Sequence, residues 1–343
     1  MRILLGMSGG LDSTYAASKL IKEGHSVEGA VLVMHNYTDK NSARETAREL
    51  GIKLHEIDVR KLFEEKVVSD FAKQYQRGRT PNPCVVCNRE VKFKALYDFA
   101  MAEGFDGIAT GHYAKIVELE GAFGKRRVIS RSKDETKDQT YMLWRLPAEI
   151  IERLHFPLES LTKKEIRELA KVEGLGAADR QESQEICFIP DGNYGEYIET
   201  NFGKSREGDF VDENGQVLGR HKGIIHYTVG QRKGLGIALG QRAFINSINP
   251  ENDRIILSFS AKETNSFTVS DIVYTGMAPA NEGDEAELLV KIRYLAPPVP
   301  ARVIFDGKCG ARVILSAPVK SLTPGQSAVF YDGEILAFGG YID

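Results

Sequence analysis

The stretch that most constrains the fold is Gly6–Thr14, which reads GMSGGLDST. It follows an apolar run, Ile3-Leu4-Leu5, and opens onto a helical pattern from Tyr15 to Ile21. A strand, a tight glycine turn and a helix N-terminus in that order expose backbone N–H groups beside the positive end of a helix dipole. That setting favours an anion such as phosphate. Gly9 and Gly10 carry no Cβ, so a ligand can come close to the backbone there. Ser8 and Ser13 offer hydroxyl donors. Asp12 would repel a phosphate unless a cation stood between them, which assigns it to the Mg²⁺ side of such a site. The loop lacks the Gly-Lys-Ser/Thr ending of a Walker A motif, which would place a lysine on the β/γ-phosphates.

Strand-like and helical runs alternate through the first third. Arg2–Gly6, Val27–Met34 and Lys53–Val59 read as strands, with helical patterns at Ser13–Glu23 and Ser42–Leu50 between them. This rhythm predicts a parallel sheet covered on both faces. Asp106–Thr110 reads as a further buried strand, preceded by a helix over Glu90–Glu103. Ligands of such sheets bind beyond the strand C-termini, so Gly6, Met34 and Gly111 are expected around one crevice.

An amphipathic run, Lys61–Tyr75, breaks at Arg77-Gly78-Arg79-Thr80-Pro81-Asn82-Pro83. Cys84-Val85-Val86-Cys87-Asn88 follows, with Asn88 a candidate cap for the next helix. Thiols near a helix N-terminus are expected to have lowered pKa values. Arg77, Arg79, Arg89 and Lys92 flank them and suggest either a solvated face or an RNA contact. Cys187, between Ile186 and Phe188, reads on its own as a buried small hydrophobe, and Cys309 as a packed core thiol. Four cysteines are too few for a disulfide scaffold.

From about Asn201 the pattern becomes all-β, with turn signals at Asp212–Gly215, Asn249–Asn252, Asp306-Gly307 and Asp332-Gly333. The Gly-, Lys- and Arg-rich stretch Gly219–Gly240 reads as an RNA- or ligand-facing loop region. A chain of 343 residues is expected to form two or three domains. The expected divisions are 1–200, 201–266 and 267–343, with boundaries near Asn201 and Phe267. The formal net charge of −3 gives no global attraction to nucleic acid, so an RNA partner needs local basic patches. No apolar run approaches membrane-spanning length and the N-terminus enters a core strand directly, from which a cytoplasmic location is expected.

SGGxDS after the first strand resembles the pyrophosphate loop of the ATP pyrophosphatases. With TPNPCVVCNREVKF, ATGHYAK, KDQTYML, ICFIP, HYTVGQRKGLGIA and KIRYLAPP in this order, the chain resembles the tRNA-specific 2-thiouridylases along nearly its whole length. The resemblance implies an α/β plus all-β architecture. Its parts are an adenine nucleotide alpha hydrolase-like pyrophosphate-loop domain, a small central domain and a C-terminal β-barrel. It implies ATP-dependent sulfur insertion at the 2-position of the wobble uridine of tRNA, with Mg²⁺ steadying the departing pyrophosphate. It places ATP on Gly6, Met7, Ser8, Gly9, Gly10, Leu11, Asp12, Ser13, Met34 and Gly111. It makes Cys187 the persulfide carrier and Cys87 the second thiol, the two forming a disulfide, and implies a moving loop around Cys187. Asn82, Pro83 and position 84 would approach the target base, and His112, Lys137, Asp138, Gln139, Arg293, Tyr294 and Gln326 would touch tRNA. A sulfur-donating partner is implied, and no membrane partner. One position departs from the best-known members, which carry aspartate where this chain has Cys84. Cys84, Cys87 and Cys187 are thereby also candidate ligands of an iron–sulfur cluster that delivers sulfide, or of a zinc ion.

Overall fold

The computed structural model describes residues 1–121, 124–180, 186–189 and 191–343. It opens with β1 (Arg2–Gly6), α1 (Leu11–Lys22), β2 (Ser26–Val33), α2 (Lys40–Glu49) and β3 (Leu54–Asp58). Next come α3 (Arg60–Phe63) and α4 (Ser69–Gln76), joined by a π-turn at Glu64–Val68. A second π-turn, Asn88–Lys92, joins α5 (Pro83–Cys87) to α6 (Phe93–Ala102), and β4 (Gly107–Thr110) follows. A hairpin of β5 (Lys115–Gly121) and β6 (Gly124–Ser130) precedes α7 (Ala148–Ile151), β7 (Leu154–His155), α8 (Lys163–Val172) and α9 (Tyr194–Phe202).

The first sheet runs β3-β2-β1-β4-β7 with every pairing parallel. Side chains alternate across a strand, so a sheet covered on both faces needs an unbroken apolar run. Ile3 and Leu5 pack on one side with Ala16 and Leu20 of α1, while Leu4 packs on the other with Phe93 and Leu96 of α6. All three strand residues are fully buried.

β8 (Gly208–Val211), β9 (Val217–His221), β10 (Phe244–Asn249) and β11 (Arg254–Ser258) form a small sheet ordered β10-β11-β8-β9. β12 (Glu263–Tyr274), β13 (Glu282–Lys291), β14 (Val299–Asp306), β15 (Ala311–Lys320), β16 (Ser327–Asp332) and β17 (Ile335–Ile342) close into a six-stranded barrel through the β12–β17 pairing. Val290, Val303, Val313, Phe330 and Phe338 fill it. The expected α/β plus all-β architecture with a C-terminal β-barrel is therefore present.

Several expectations are corrected. The helix expected to begin at Glu90 begins at Pro83, because proline is tolerated at the first helical position, where no N–H is required. Asn82 caps it, and Asn88 lies within the helical run, donating to the Met142 carbonyl at 2.9 Å. The β5–β6 hairpin joins the barrel sheet through Ser130 and Ile335, which no local sequence signal announced. Asn201, near the first expected boundary, lies inside α9. Cys309 sits in the turn between β14 and β15 and is exposed, not a core thiol.

The barrel is locked onto the first unit by Thr140–Trp144. The fully buried Trp144 indole donates to Ser327 Oγ at 3.0 Å, and the Tyr141 hydroxyl to the Ser327 carbonyl at 2.8 Å.

Candidate active site

The crevice begins at the turn after β1. Gly9 holds φ +77°, and a Cβ added there would lie 2.4 Å from the carbonyl carbon of Ser42. The turn thus requires glycine both for its left-handed backbone and for its approach to α2. Ser8 and Ser13 face each other, with 3.2 Å between hydroxyls, and Ser13 Oγ donates to the Gly10 carbonyl at 3.1 Å. Leu11 begins α1 and, like Met7, is buried. Gly111, just past β4, packs so tightly on the turn that an added Cβ would lie 2.9 Å from the Asp12 carbonyl carbon. Gly6, at the end of β1, Met34, just past β2, and Gly111 therefore converge as strand topology requires.

Asp12 is paired within the protein. Lys163 Nζ lies 2.8 Å from each of its carboxylate oxygens, and the Tyr113 hydroxyl donates to it at 2.7 Å. In this arrangement its charge is matched by a lysine. Lys163 opens α8, held by a capping box between Thr162 and Glu165. Arg180 reaches the same turn, donating to the Gly9 carbonyl and pairing with Glu45 at 3.2 Å. Sequence reading missed both residues, since neither belongs to a local motif and each reaches the turn only through tertiary folding.

The thiols lie across the crevice. The Asn82 side chain accepts from the Cys84 amide at 3.2 Å and fixes the start of α5. Cys84 is exposed and Cys87 is buried on the same helix. The Cys87 thiol donates to Met34 Sδ at 3.8 Å, so a residue of the expected nucleotide pocket touches an expected catalytic thiol. Cys187 is exposed while its neighbours Phe188 and Ile189 are buried, which corrects the reading of this cysteine as a packed hydrophobe. Segment 181–185, in the expected moving loop, lies outside the described residues.

Burial pushes the Cys87 thiol up to about 12, and desolvation by the surrounding crevice raises those of Cys84 and Cys187 although part of each side chain is exposed. The expectation of lowered values near a helix start is overturned, because loss of hydration outweighs the helix terminus. Cys187 and Cys84 each raise Cys87 through their charge, and Cys84 raises Cys187, so the three sulfurs share one neighbourhood. The Lys92 ammonium opposes the rise at all three. Lys92, the last residue of the π-turn, has no acidic partner among the described residues. Among the described residues no three His, Cys, Asp or Glu side chains group as metal ligands.

The residues expected to touch tRNA divide. Gln326 donates to the Thr80 carbonyl at 2.9 Å, and Arg79 to the Ile342 carbonyl at 2.9 Å, so both fasten the loop before Pro83 to the barrel. Asp138 is buried and accepts from Arg131 Nε at 3.2 Å and the Thr140 amide at 2.9 Å. Gln139 accepts from the Tyr113 amide at 2.9 Å. His112 lies 2.8 Å from Thr110 Oγ1 and against Phe93, and burial holds its pKa well below the usual histidine value, leaving a neutral ring. Lys137 is half-buried beside them. Arg293 is exposed and donates to Thr323 Oγ1 at 3.1 Å. Tyr294 comes from the barrel close enough to Cys84 for that thiol to affect its ionisation. In the central unit, Arg232 and Lys233 of the stretch expected to face RNA are exposed.

Family models match in three consecutive blocks. They are the tRNA methyl transferase HUP domain over residues 1–191, the tRNA methyl transferase PRC-barrel domain over 195–258, and the aminomethyltransferase beta-barrel domain over 264–342. The tRNA-specific 2-thiouridylase MnmA of Carboxydothermus hydrogenoformans is 40% identical over 362 residues, covering 100% of this chain and 97% of its own length. The tRNA-specific 2-thiouridylase MnmA 1 of Clostridium tetani is 41% identical over 355 residues, covering 100% and 96%. A 4-thiouridine synthetase solved with RNA and ATP superposes on 58% of this chain and 50% of its own, with a TM-score of 0.39 and 19% identity. By its full-length likeness to these curated relatives, the chain belongs to the tRNA-specific 2-thiouridylase family.

Proposed function

We propose that this protein uses ATP to replace the 2-oxygen of the wobble uridine of tRNA with sulfur. The observation that carries the reading is the contact between the Cys87 thiol and Met34, which brings a thiol to the end of β2, the strand next to the one that leads into the Gly9–Gly10 turn. The uridine 2-oxygen attacks the α-phosphorus of ATP and pyrophosphate leaves, converting a poor leaving group into AMP. Backbone N–H groups of the Gly9–Gly10 turn, the Ser8 and Ser13 hydroxyls and the Lys163 ammonium then face the departing negative charge. The terminal sulfur of a Cys187 persulfide attacks C2, and AMP departs with the original oxygen. The Cys87 thiolate attacks the Cys187 sulfur. The sulfur–sulfur bond breaks, its electron pair stays on the transferred atom as the 2-thiouridine, and a Cys87–Cys187 disulfide forms. A dithiol reductant restores the enzyme, and a persulfide donor recharges Cys187.

Asn82, Pro83 and Cys84, at the start of α5, would receive the base, with Tyr294 of the barrel unit near Cys84. A cavity of about 320 Å³ beside the same loop is lined by Arg77, Arg79 and Lys262 and by no acidic residue, which suits RNA phosphates. A reaction on tRNA supports a cytoplasmic location for the protein.

The test is incubation of the full chain with a tRNA transcript, ATP and a small-molecule persulfide donor, followed by nucleoside mass spectrometry. The expected product is 2-thiouridine at the wobble position. Unmodified uridine there, with any sulfur found elsewhere, would overturn the reading.

A further inference from the structure

Cys84 and Cys87 differ in exposure but share a helix. Cys84 is the second residue of α5 and Cys87 the fifth, with Asn82 fixing the register. Helical geometry sets Cα atoms three residues apart about 5 Å from each other. Disulfides span Cα separations of roughly 4.4–6.8 Å. The pair can therefore be bridged while the helix stays intact. Cys84 is exposed, and Cys87 is buried, with 7% of its surface exposed, and held against Met34. Cys187 is within electrostatic reach of both.

This asymmetry bears on how the enzyme is reset. A disulfide between Cys87 and Cys187 has one sulfur buried in the crevice, and tRNA covers its mouth during transfer. We propose that Cys84 is a third redox residue, which opens the Cys87–Cys187 disulfide from within and carries the oxidising equivalents to the surface. The inference rests on the persulfide reading of the reaction given above. The Cys84 thiolate attacks Cys87 Sγ, a Cys84–Cys87 bond forms, the Cys87–Cys187 bond breaks, and Cys187 leaves with the electron pair. The proton lost by Cys84 goes to Cys187, which is then free to accept a new persulfide sulfur. An external protein dithiol next attacks the exposed Cys84 sulfur, releases Cys87, and closes its own disulfide. Electrons balance, since one dithiol is oxidised for each sulfur inserted. Lys92, whose charge favours the ionised form of all three cysteines, stabilises each leaving thiolate.

The experiment is a single turnover of the full chain with tRNA, ATP and a persulfide donor, without reductant. Acid quenching, alkylation and disulfide mapping follow, with thio-tRNA measured on the same sample. The wild-type chain is expected to carry a Cys84–Cys87 linkage in amounts matching the thio-tRNA formed. Cys84→Ser, or Cys84→Asp if the serine variant does not fold, is expected to be trapped as Cys87–Cys187. Its turnover with thioredoxin as the dithiol should fall about tenfold or more. A wild-type chain holding only Cys87–Cys187, with variants that turn over at the wild-type rate, would overturn the proposal. So would iron bound to these thiols after anaerobic purification. Thio-tRNA formed with no enzyme disulfide of either kind would instead overturn the persulfide reading beneath it, and this proposal with it.

Discussion

At the scale of single residues the site is a set of groups whose surroundings push against their intrinsic chemistry. Cys87 is the clearest case. With its thiol pushed up to about 12 by burial, only about one molecule in ten thousand carries the thiolate at pH 8. Its alkylation by iodoacetamide should be the slowest of the four cysteines and should rise about tenfold per pH unit through the alkaline range. Peptide mapping of the labelled chain measures this, with exposed Cys309 as the internal reference. A Cys87 rate that levels off near pH 8 would mean the burial is not maintained in solution. Gly9 makes a second test. Alanine at φ +77° costs about 1–2 kcal/mol for the backbone alone. The Cβ contact at 2.4 Å adds displacement of α2. Gly9→Ala should therefore lower the urea midpoint and weaken ATP binding by tenfold or more in calorimetry. Gly9 was legible from sequence, because its need for a backbone without a Cβ is local. Lys163 and Arg180 were not legible, because a charge 151 or 171 positions from its partner leaves no periodic or spacing signal.

At the scale of elements, the strand–turn–helix at the N-terminus and four of the β-hairpin turns were readable, since each carries its own chemistry. Apolar runs mark strands covered on both faces, and Asp-Gly or Asn-Pro turns mark hairpins. What escaped was set by context. Pro83 was read as a breaker, yet it occupies the one helical position where proline costs nothing, with Asn82 as the cap. Two π-turns, at Glu64–Val68 and Asn88–Lys92, have no sequence mark. Lys92 ends the second, and its charge acts on all three thiols. Asn82→Ala should cost about 1 kcal/mol in chemical denaturation, because the Cys84 amide loses its acceptor. Thiolation should fall further than stability does, since the helix that carries both thiols loses its fixed start. Equal small losses in both would assign Asn82 to stability alone.

At the scale of the whole molecule, the loop Arg77–Asn82 is the meeting point of all three units. The Thr80 amide donates to the Pro324 carbonyl of the barrel segment at 2.9 Å, and Thr80 Oγ1 to Thr228 of the central unit at 3.4 Å. The barrel therefore helps to place the thiols and does not merely trail the catalytic unit. Trp144 is the main fastening: fully buried, bonded to Ser327, and packed where a Cβ on Gly339 would collide at 2.5 Å. Trp144→Ala should cost about 3–5 kcal/mol and lower the melting temperature in calorimetry. Loss of thiolation should accompany it even below the melting point, as the loop before Pro83 loosens. The central claim is that one crevice adenylates the uridine and then hands sulfur to it through Cys187 and Cys87. The most direct measurement follows pyrophosphate release and thio-tRNA together in Cys187→Ser supplied with tRNA, ATP and a persulfide donor. The account predicts that tRNA-dependent pyrophosphate release persists while no thio-tRNA forms. Thio-tRNA made by Cys187→Ser at the wild-type rate would contradict it.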